Sequence, residues 1–437
     1  MVQIHSSLLF FCRFFQKHNA LSLIRPTYLT MTASKILLLI IDGVGDRPCS
    51  CLGGKTPLQA ANIPNLDELA KTGICGIMDP VAPGVRAGSD TSHLSLLGYP
   101  PQQYYTGRGP LEAAGCGIQM EPGMIGFRAN YATLDDAGNV IDRRAGRIPD
   151  TTEISAAIRD GVDLTKYGVT IEFEPGTGHR AALALKGNGL SAAVSSNDPK
   201  ATGVPPKTIH PEGENTPEAQ FTADVCNEFC RQAAEILKNH PVNLARKAAG
   251  RNPANVVLIR GAGAMGVYEP FAERHELSGS VVAAAALIAG IGSSVGLRRV
   301  PVTPATPLAE QVALVLQEFA TQDFVLFNIK NADEYGHDGK ALEKKEFLEK
   351  IDRELRPLME MPDVMIAVCG DHSTPCTIKE HSADPVPLII RGDGARVDGV
   401  SAYDEISCAA GGLCRIRGGD LMPILLDLID KTHKYGA

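Results

Sequence analysis

Three stretches of the chain, residues 36–41, 324–329 and 364–369, are apolar at nearly every position. An apolar run without polar alternation predicts a strand buried on both faces, and so a mostly parallel sheet covered by helices. Residues 256–259 and 387–390 are shorter runs of the same kind, and 297–302 reads as a short strand. Between them lie helical patterns: 65–72, ended by Gly73; 280–291, apolar throughout; 307–321; and 342–361, long, charged and amphipathic.

From about Ile118 to Arg251 the pattern changes. Residues 127–134 alternate apolar with polar and run into the turn 135–139. Residues 169–173 and 180–185 read as a hairpin across Gly176-Thr177-Gly178, and 190–196 as a further strand. A helix is predicted over 219–239, with 243–251 continuing it. A chain of 437 residues is long for one core. The pattern divides it into a larger α/β domain, 31–118 with 251–437, and a smaller α+β domain, 119–250, inserted into it. Residues 1–30 stand apart. The chain has no acidic residue before Asp42 but carries Arg13, Lys17, Arg25 and Lys35. Two readings are open for this extension: a transit peptide, which is basic and acid-poor, or a leader upstream of a start at Met31. Either reading sets it outside the fold and predicts poor order.

The formal net charge is -8, with no domain-wide basic excess, which argues against a nucleic-acid partner. No apolar run reaches the length of a membrane span. Eleven cysteines, scattered and odd in number, suit reduced thiols and a cytoplasmic protein, or an organellar one if the extension is a transit peptide. Gly261-Ala262-Gly263 lacks the rest of a dinucleotide fingerprint.

The chemistry gathers where the apolar runs stop. Asp42 follows 36–41; Asp333 and His337 follow 324–329; Asp371 and His372 follow 364–369, with His381 further along the same loop. Strand ends are where open α/β sheets place their reacting groups. Three carboxylates, three imidazoles and a hydroxyl, Ser89, suffice for two divalent cations of the Mn, Zn or Mg kind. Ser89 follows Gly88 at a predicted helix start, a position that taken alone reads first as a helix cap and only then as an anion site holding a nucleophile. An acidic chain that handles an anion needs a local basic cluster, and Asp142-Arg143-Arg144-Ala145-Gly146-Arg147 is one. His210, His240, His275 and His433 have no such neighbours.

Asp42-Gly-x-Gly-Asp46, Gly88-Ser89-Asp-Thr-x-His93-Leu, Asp333-x-x-Gly336-His337, Gly370-Asp371-His372-Ser-Thr-Pro and Lys379-x-His381-Ser-x-Asp-Pro-Val-Pro stand in that order. This series resembles the cofactor-independent phosphoglycerate mutases of the archaeal type, members of the alkaline phosphatase superfamily. The resemblance runs from about Lys35 to the C-terminus. It implies an alkaline-phosphatase-like sheet sandwiched by helices, with the inserted domain closing over the site. The implied reaction interconverts 3-phosphoglycerate and 2-phosphoglycerate without 2,3-bisphosphoglycerate. By the family pattern Ser89 becomes phosphoserine. Asp42, Asp371 and His372 bind one metal with Ser89, and Asp333, His337 and His381 bind the other. Arg143, Arg147 and Arg180, with Asp142 oriented among them, are the residues expected on glycerate. Lys330 lies near the metal motif without an assigned contact. Another phosphomutase or a phosphomonoesterase of the same superfamily, or a non-catalytic metal-binding protein, are the alternative functions. A homo-oligomer is left open.

Overall fold

The computed structural model describes residues 33–434 and 436. The expectations for residues 1–30 lie outside the described residues.

Among the described residues thirteen strands form two sheets. In chain order they are β1 (Lys35–Ile41), β2 (Ile74–Asp79), β3 (Ile125–Leu134), β4 (Val140–Asp142), β5 (Thr170–Pro175), β6 (Arg180–Lys186), β7 (Val256–Ala264), β8 (Gly279–Ala283), β9 (Arg298–Val300), β10 (Phe324–Ile329), β11 (Val364–Cys369), β12 (Val386–Arg391) and β13 (Cys414–Arg417). The larger sheet runs β13-β2-β12-β11-β1-β10-β8-β9. Five of its seven pairings are parallel, and β12 alone runs against both neighbours. The fold is α/β, a mixed and mostly parallel sheet with helices on both faces.

The unbroken apolar run of β1 has its reason here. Leu37, Leu39 and Ile41 join the core on one face, while Ile36, Leu38 and Ile40 join the core on the other. Each fully buried side chain of this kind contributes roughly 1.5–3 kcal/mol. The three central strands β11, β1 and β10 are parallel, so their C-terminal ends emerge side by side. Those ends carry Asp371, Asp42 and Asp333.

The second sheet is antiparallel: β4-β3-β6-β5, with β7 also paired to β3. Its core joins Phe127 and Tyr131 of β3 to Ile154, Ile158, Phe229 and Leu237 from helices. Here the structure departs from the sequence reading. β7, assigned by its apolar character to the larger domain, pairs with β3, and Val257 and Ile259 enter the smaller core. The 280–291 helix is two elements: Gly279–Ala283 is a strand parallel to β10, and a helix spans Ala286–Ser294. A run that is apolar throughout carries no period to separate the two forms. The 190–196 strand does not form. Its serines take local backbone amides instead, Ser191 Oγ from Ala193 at 3.1 Å and Ser196 Oγ from Asp198 at 3.0 Å. The 219–251 helix is two, Pro217–Lys238 and Pro241–Ala248, parted where Pro241 restarts the turn.

The helix Arg108–Gly115 packs against both layers backbone to backbone. A Cβ on Gly109 would lie 2.1 Å from the carbonyl oxygen of Gly126 in β3. One on Gly115 would lie 1.7 Å from that of Ala286. Only glycine permits either approach.

Candidate active site

The three loops at the ends of β11, β1 and β10 bring their acidic and imidazole groups into one cluster. Ligand atoms of Asp42, Asp371 and His372 lie within 4.8 Å of one another, and so do those of Asp333, His372 and His381. Asp333 and His337 stand at i and i+4 on the helix Asn331–Asp338, so both face the same way. Asp333 Oδ1 is 3.4 Å from His337 Nε2 and 3.5 Å from His381 Nε2. In both rings Nδ1 is tied to a backbone carbonyl, that of Lys379 for His337 and that of Ala87 for His381. This leaves Nε2 as the free ligand atom.

The electrostatics of the cluster ask for more positive charge. Asp42, Asp333 and Asp371 are all buried, and Asp371 Oδ2 has no hydrogen-bond partner. Burial, with the neighbouring Asp371 charge, pushes the Asp42 carboxyl up to about 8. Lys330 supplies one cation, donating to Asp42 Oδ1 at 2.8 Å and to Asp333 Oδ2. Burial pushes His372 down to about 4, so its ring is neutral at neutral pH. Burial works against a charged His381, but Asp333, the Ala87 carbonyl and the Asp371 charge together outweigh it and raise the ring above its ordinary value. An orphaned carboxylate oxygen beside neutral imidazoles fits a divalent cation of borderline hardness.

Ser89 opens the helix Ser89–Leu96 behind its N-cap, Gly88. The side chain is nearly buried, and Oγ lies 3.2 Å from His372 Nε2. One turn on, the buried His93 holds the Ser89 carbonyl through Nδ1 at 2.7 Å. Its Nε2 meets Asn328 Nδ2 at 3.3 Å, and the same amide reaches Asp42 Oδ2 at 3.3 Å. The start of the serine helix is thus keyed to the strand ends through its own i+4 histidine.

Above the cluster is a cavity of about 1030 Å³. Asp42, Ser89, Asp333, His337 and His381 line one side, and Arg108, Arg128, Arg144, Arg147, His179 and Arg180 the other. Arg147 reaches it from a backbone in which Ala145, Gly146 and Arg147 all have positive φ, 46°, 61° and 51°. Asp142 holds that turn together, accepting from the amides of Arg144 and Gly146 at 2.8 and 2.6 Å. Burial pushes His179 down to about 4, aided by Arg180 and Arg144, and so leaves the cavity's positive charge to arginine.

The family model of 2,3-bisphosphoglycerate-independent phosphoglycerate mutase matches residues 70–243. A protein of that name from Methanocorpusculum labreanum is 81% identical, over 93% of this chain and all of the relative. The chain belongs to this family. The solved cofactor-independent phosphoglycerate mutase from Thermoplasma acidophilum is 38% identical, with a TM-score of 0.68 over 91% of this chain and all of that one. The PH0037 protein from Pyrococcus horikoshii is 34% identical, with a TM-score of 0.79 over 93% of this chain and all of that one.

Within this member of the mutase family, the expected metal-binding side chains and Ser89 come together. The expected arginines divide. Arg147 and Arg180 line the cavity, and Arg143 does not. Its guanidinium forks onto the carboxylate of Asp198 at 3.1 and 2.7 Å, which Arg260 shares at 2.9 Å. Arg144, its neighbour, lines the cavity instead. Asp142 faces backbone amides and Asn252, as an organiser of the turn. Sequence reasoning missed Asn328, Thr374 and Arg128. Arg128 pairs with Glu112, and burial pushes it down to about 10. No helix among the described residues is long and apolar enough to cross a membrane, and the ten cysteines among them are free.

Proposed function

We propose that this chain interconverts 3-phosphoglycerate and 2-phosphoglycerate through a phosphoserine at Ser89, with two divalent cations and no 2,3-bisphosphoglycerate. The observation that carries the reading is the Ser89 hydroxyl, seated between the carboxylate–imidazole cluster and the arginine-lined cavity.

Asp42, Asp371 and His372 would hold one cation beside Ser89, and Asp333, His337 and His381 the other. When bound, Mn²⁺, Zn²⁺ or Mg²⁺ would neutralise phosphoryl oxygens and acidify the serine hydroxyl. The remaining work falls to the protein. The first turn of the Ser89 helix presents backbone amides and a favourable dipole to an anion. Ser89 Oγ takes the phosphoryl group from one glycerate hydroxyl, and that oxygen leaves with a proton. Arg147 and Arg180 then retain the glycerate by its carboxylate, which their planar forks match. The glycerate turns, its other hydroxyl takes the phosphoryl group, and Ser89 recovers its proton. Exclusion of water during that interval separates a mutase from a phosphatase.

The test is incubation with 3-phosphoglycerate and Mn²⁺ in the absence of 2,3-bisphosphoglycerate, measuring 2-phosphoglycerate and free phosphate. The reading expects 2-phosphoglycerate in large excess. Phosphate as the main product would make the chain a phosphomonoesterase. No turnover would refute both.

A further inference from the structure

Lys344 lies on the charged helix Ala341–Met359, yet its side chain is completely buried. Its ammonium finds three acceptors: Asp46 Oδ2 at 2.9 Å, the Thr374 carbonyl at 3.1 Å and the Gly45 carbonyl at 3.3 Å. An ammonium has three N–H donors, so each is spent. Asp46 is buried as well and fully committed. It accepts the backbone amides of Arg47 at 2.8 Å and Cys376 at 3.0 Å. Burying such a pair is costly, and packing alone would be served as well by an apolar residue.

What distinguishes these acceptors is the segments they belong to. Gly45 and Asp46 are in the loop that carries Asp42. Thr374 is in the loop that carries Asp371 and His372. Lys344 itself follows closely on the helix that carries Asp333 and His337. One ammonium therefore joins all three segments of the cluster from beneath. The two loops also meet directly, through Thr374 N to the Gly45 carbonyl at 3.0 Å and a bridge between Val44 and Ser373. Thr374 carries the connection upward. Its hydroxyl donates to Asp333 Oδ1 at 2.8 Å and lies 3.0 Å from His372 Nδ1. With the hydroxyl proton spent on Asp333, the ring's Nδ1–H is the donor in the second contact. That tautomer leaves the His372 Nε2 lone pair facing Ser89 and the carboxylates.

We propose that Lys344, with Asp46, is a positioning residue of the cation site, setting the spacing of the three donor-bearing segments and, through Thr374, the tautomer of His372. The inference rests on the two-cation reading above. Wild type, Lys344→Met and the double variant Asp46→Asn/Lys344→Met are stripped with chelator as full-length chains. Each is titrated with MnCl₂ by calorimetry, alongside its thermal melt and, at saturating Mn²⁺, its kinetics. The double variant decides the matter, because removing both charges leaves no uncompensated ion to unfold the chain. Its melting temperature should lie near that of the wild type. Its Mn²⁺ affinity should fall at least about tenfold, as losses of outer hydrogen-bond partners do at metal sites. Its kcat should fall while KM stays within about twofold, since the arginine side of the cavity is untouched. A folded double variant with wild-type Mn²⁺ affinity and kcat would reduce Lys344 to a stabilising residue and overturn the inference. If the wild type itself takes up no Mn²⁺, the cation reading fails first, and this inference falls with it.

Discussion

His372 Nε2 lies 3.2 Å from the hydroxyl oxygen of Ser89, although the two residues are 283 positions apart in the chain. The contact joins the start of a helix to the end of the β11 strand.

Ser89→Ala removes that oxygen and leaves Asp42, Asp371 and His372 in place. Mutase activity should fall below about one per cent of wild type, as expected for loss of a nucleophile. Mn²⁺ affinity by calorimetry should change by no more than about threefold, three side-chain donors remaining. Activity retained above that level would remove Ser89 from the reaction.

Uptake of Mn²⁺ by the metal-free protein should strengthen as pH rises from 6 to 8. His381 holds its proton above the ordinary histidine value, because Asp333, the Ala87 carbonyl and the Asp371 charge together outweigh burial. A cation must displace that proton, and also the one that Asp42, pushed up to about 8, holds over most of this range, so affinity rises across it. The slope for one proton is about tenfold per pH unit on the acidic side. His372, pushed down to about 4, has already lost its proton throughout this range. Affinities that are flat from pH 6 to 8 would contradict the assignment of His381 and Asp42 as ligands.

The arginines should separate in a product assay. Arg147→Lys and Arg180→Lys keep the charge in the cavity but lose the fork. Both should raise KM and increase the ratio of free phosphate to 2-phosphoglycerate several-fold. Arg143→Lys should keep the wild-type ratio, because its fork is spent on Asp198. Its cost should appear instead as about 1–2 kcal/mol of stability, measured by urea unfolding. A shifted ratio in Arg143→Lys alone would reverse the assignment.

Glu405 accepts from the Asp46 amide at 3.0 Å and from Thr56 Oγ1 at 2.7 Å, and burial pushes its carboxyl up to about 7. A carboxyl whose folded pKa exceeds its unfolded value contributes stability that is complete below the unfolded pKa, near 4.3, and lost as pH rises through about 7. Glu405→Gln removes this titration. Its melting temperature relative to wild type should therefore climb between pH 5 and pH 8, by the equivalent of about 2–3 kcal/mol. A constant difference across that range would show that Glu405 ionises normally in the fold.

Much of the cluster was legible because its residues sit where unbroken apolar runs end. Asp42 and Asp371 could be placed that way with no knowledge of the strand order. Their convergence needed the parallel pairing of β1 with β10 and β11, which no local pattern states. The arginines were legible as a cluster but not one by one. Whether Arg143 or its neighbour Arg144 faces the cavity depends on the left-handed turn through Ala145, Gly146 and Arg147, and on Asp198 more than 50 residues away. Lys344 was hidden for the opposite reason. It stands among charged residues on an amphipathic helix, where a lysine ordinarily reads as a solvated face.

The helix Arg108–Gly115 meets each layer through bare peptide groups, at Gly109 on one side and Gly115 on the other. Surfaces without side chains between them have no slack to give, so neither seam can part without losing its contact entirely. The helix is in effect an axle, held in two bearings. A displacement of the smaller sheet that keeps both seams closed must turn about this helix. On that geometry Arg108 and Arg128, beside the axle, travel little. Arg144 and Arg147, borne on the turn after β4, ride at the end of the lever.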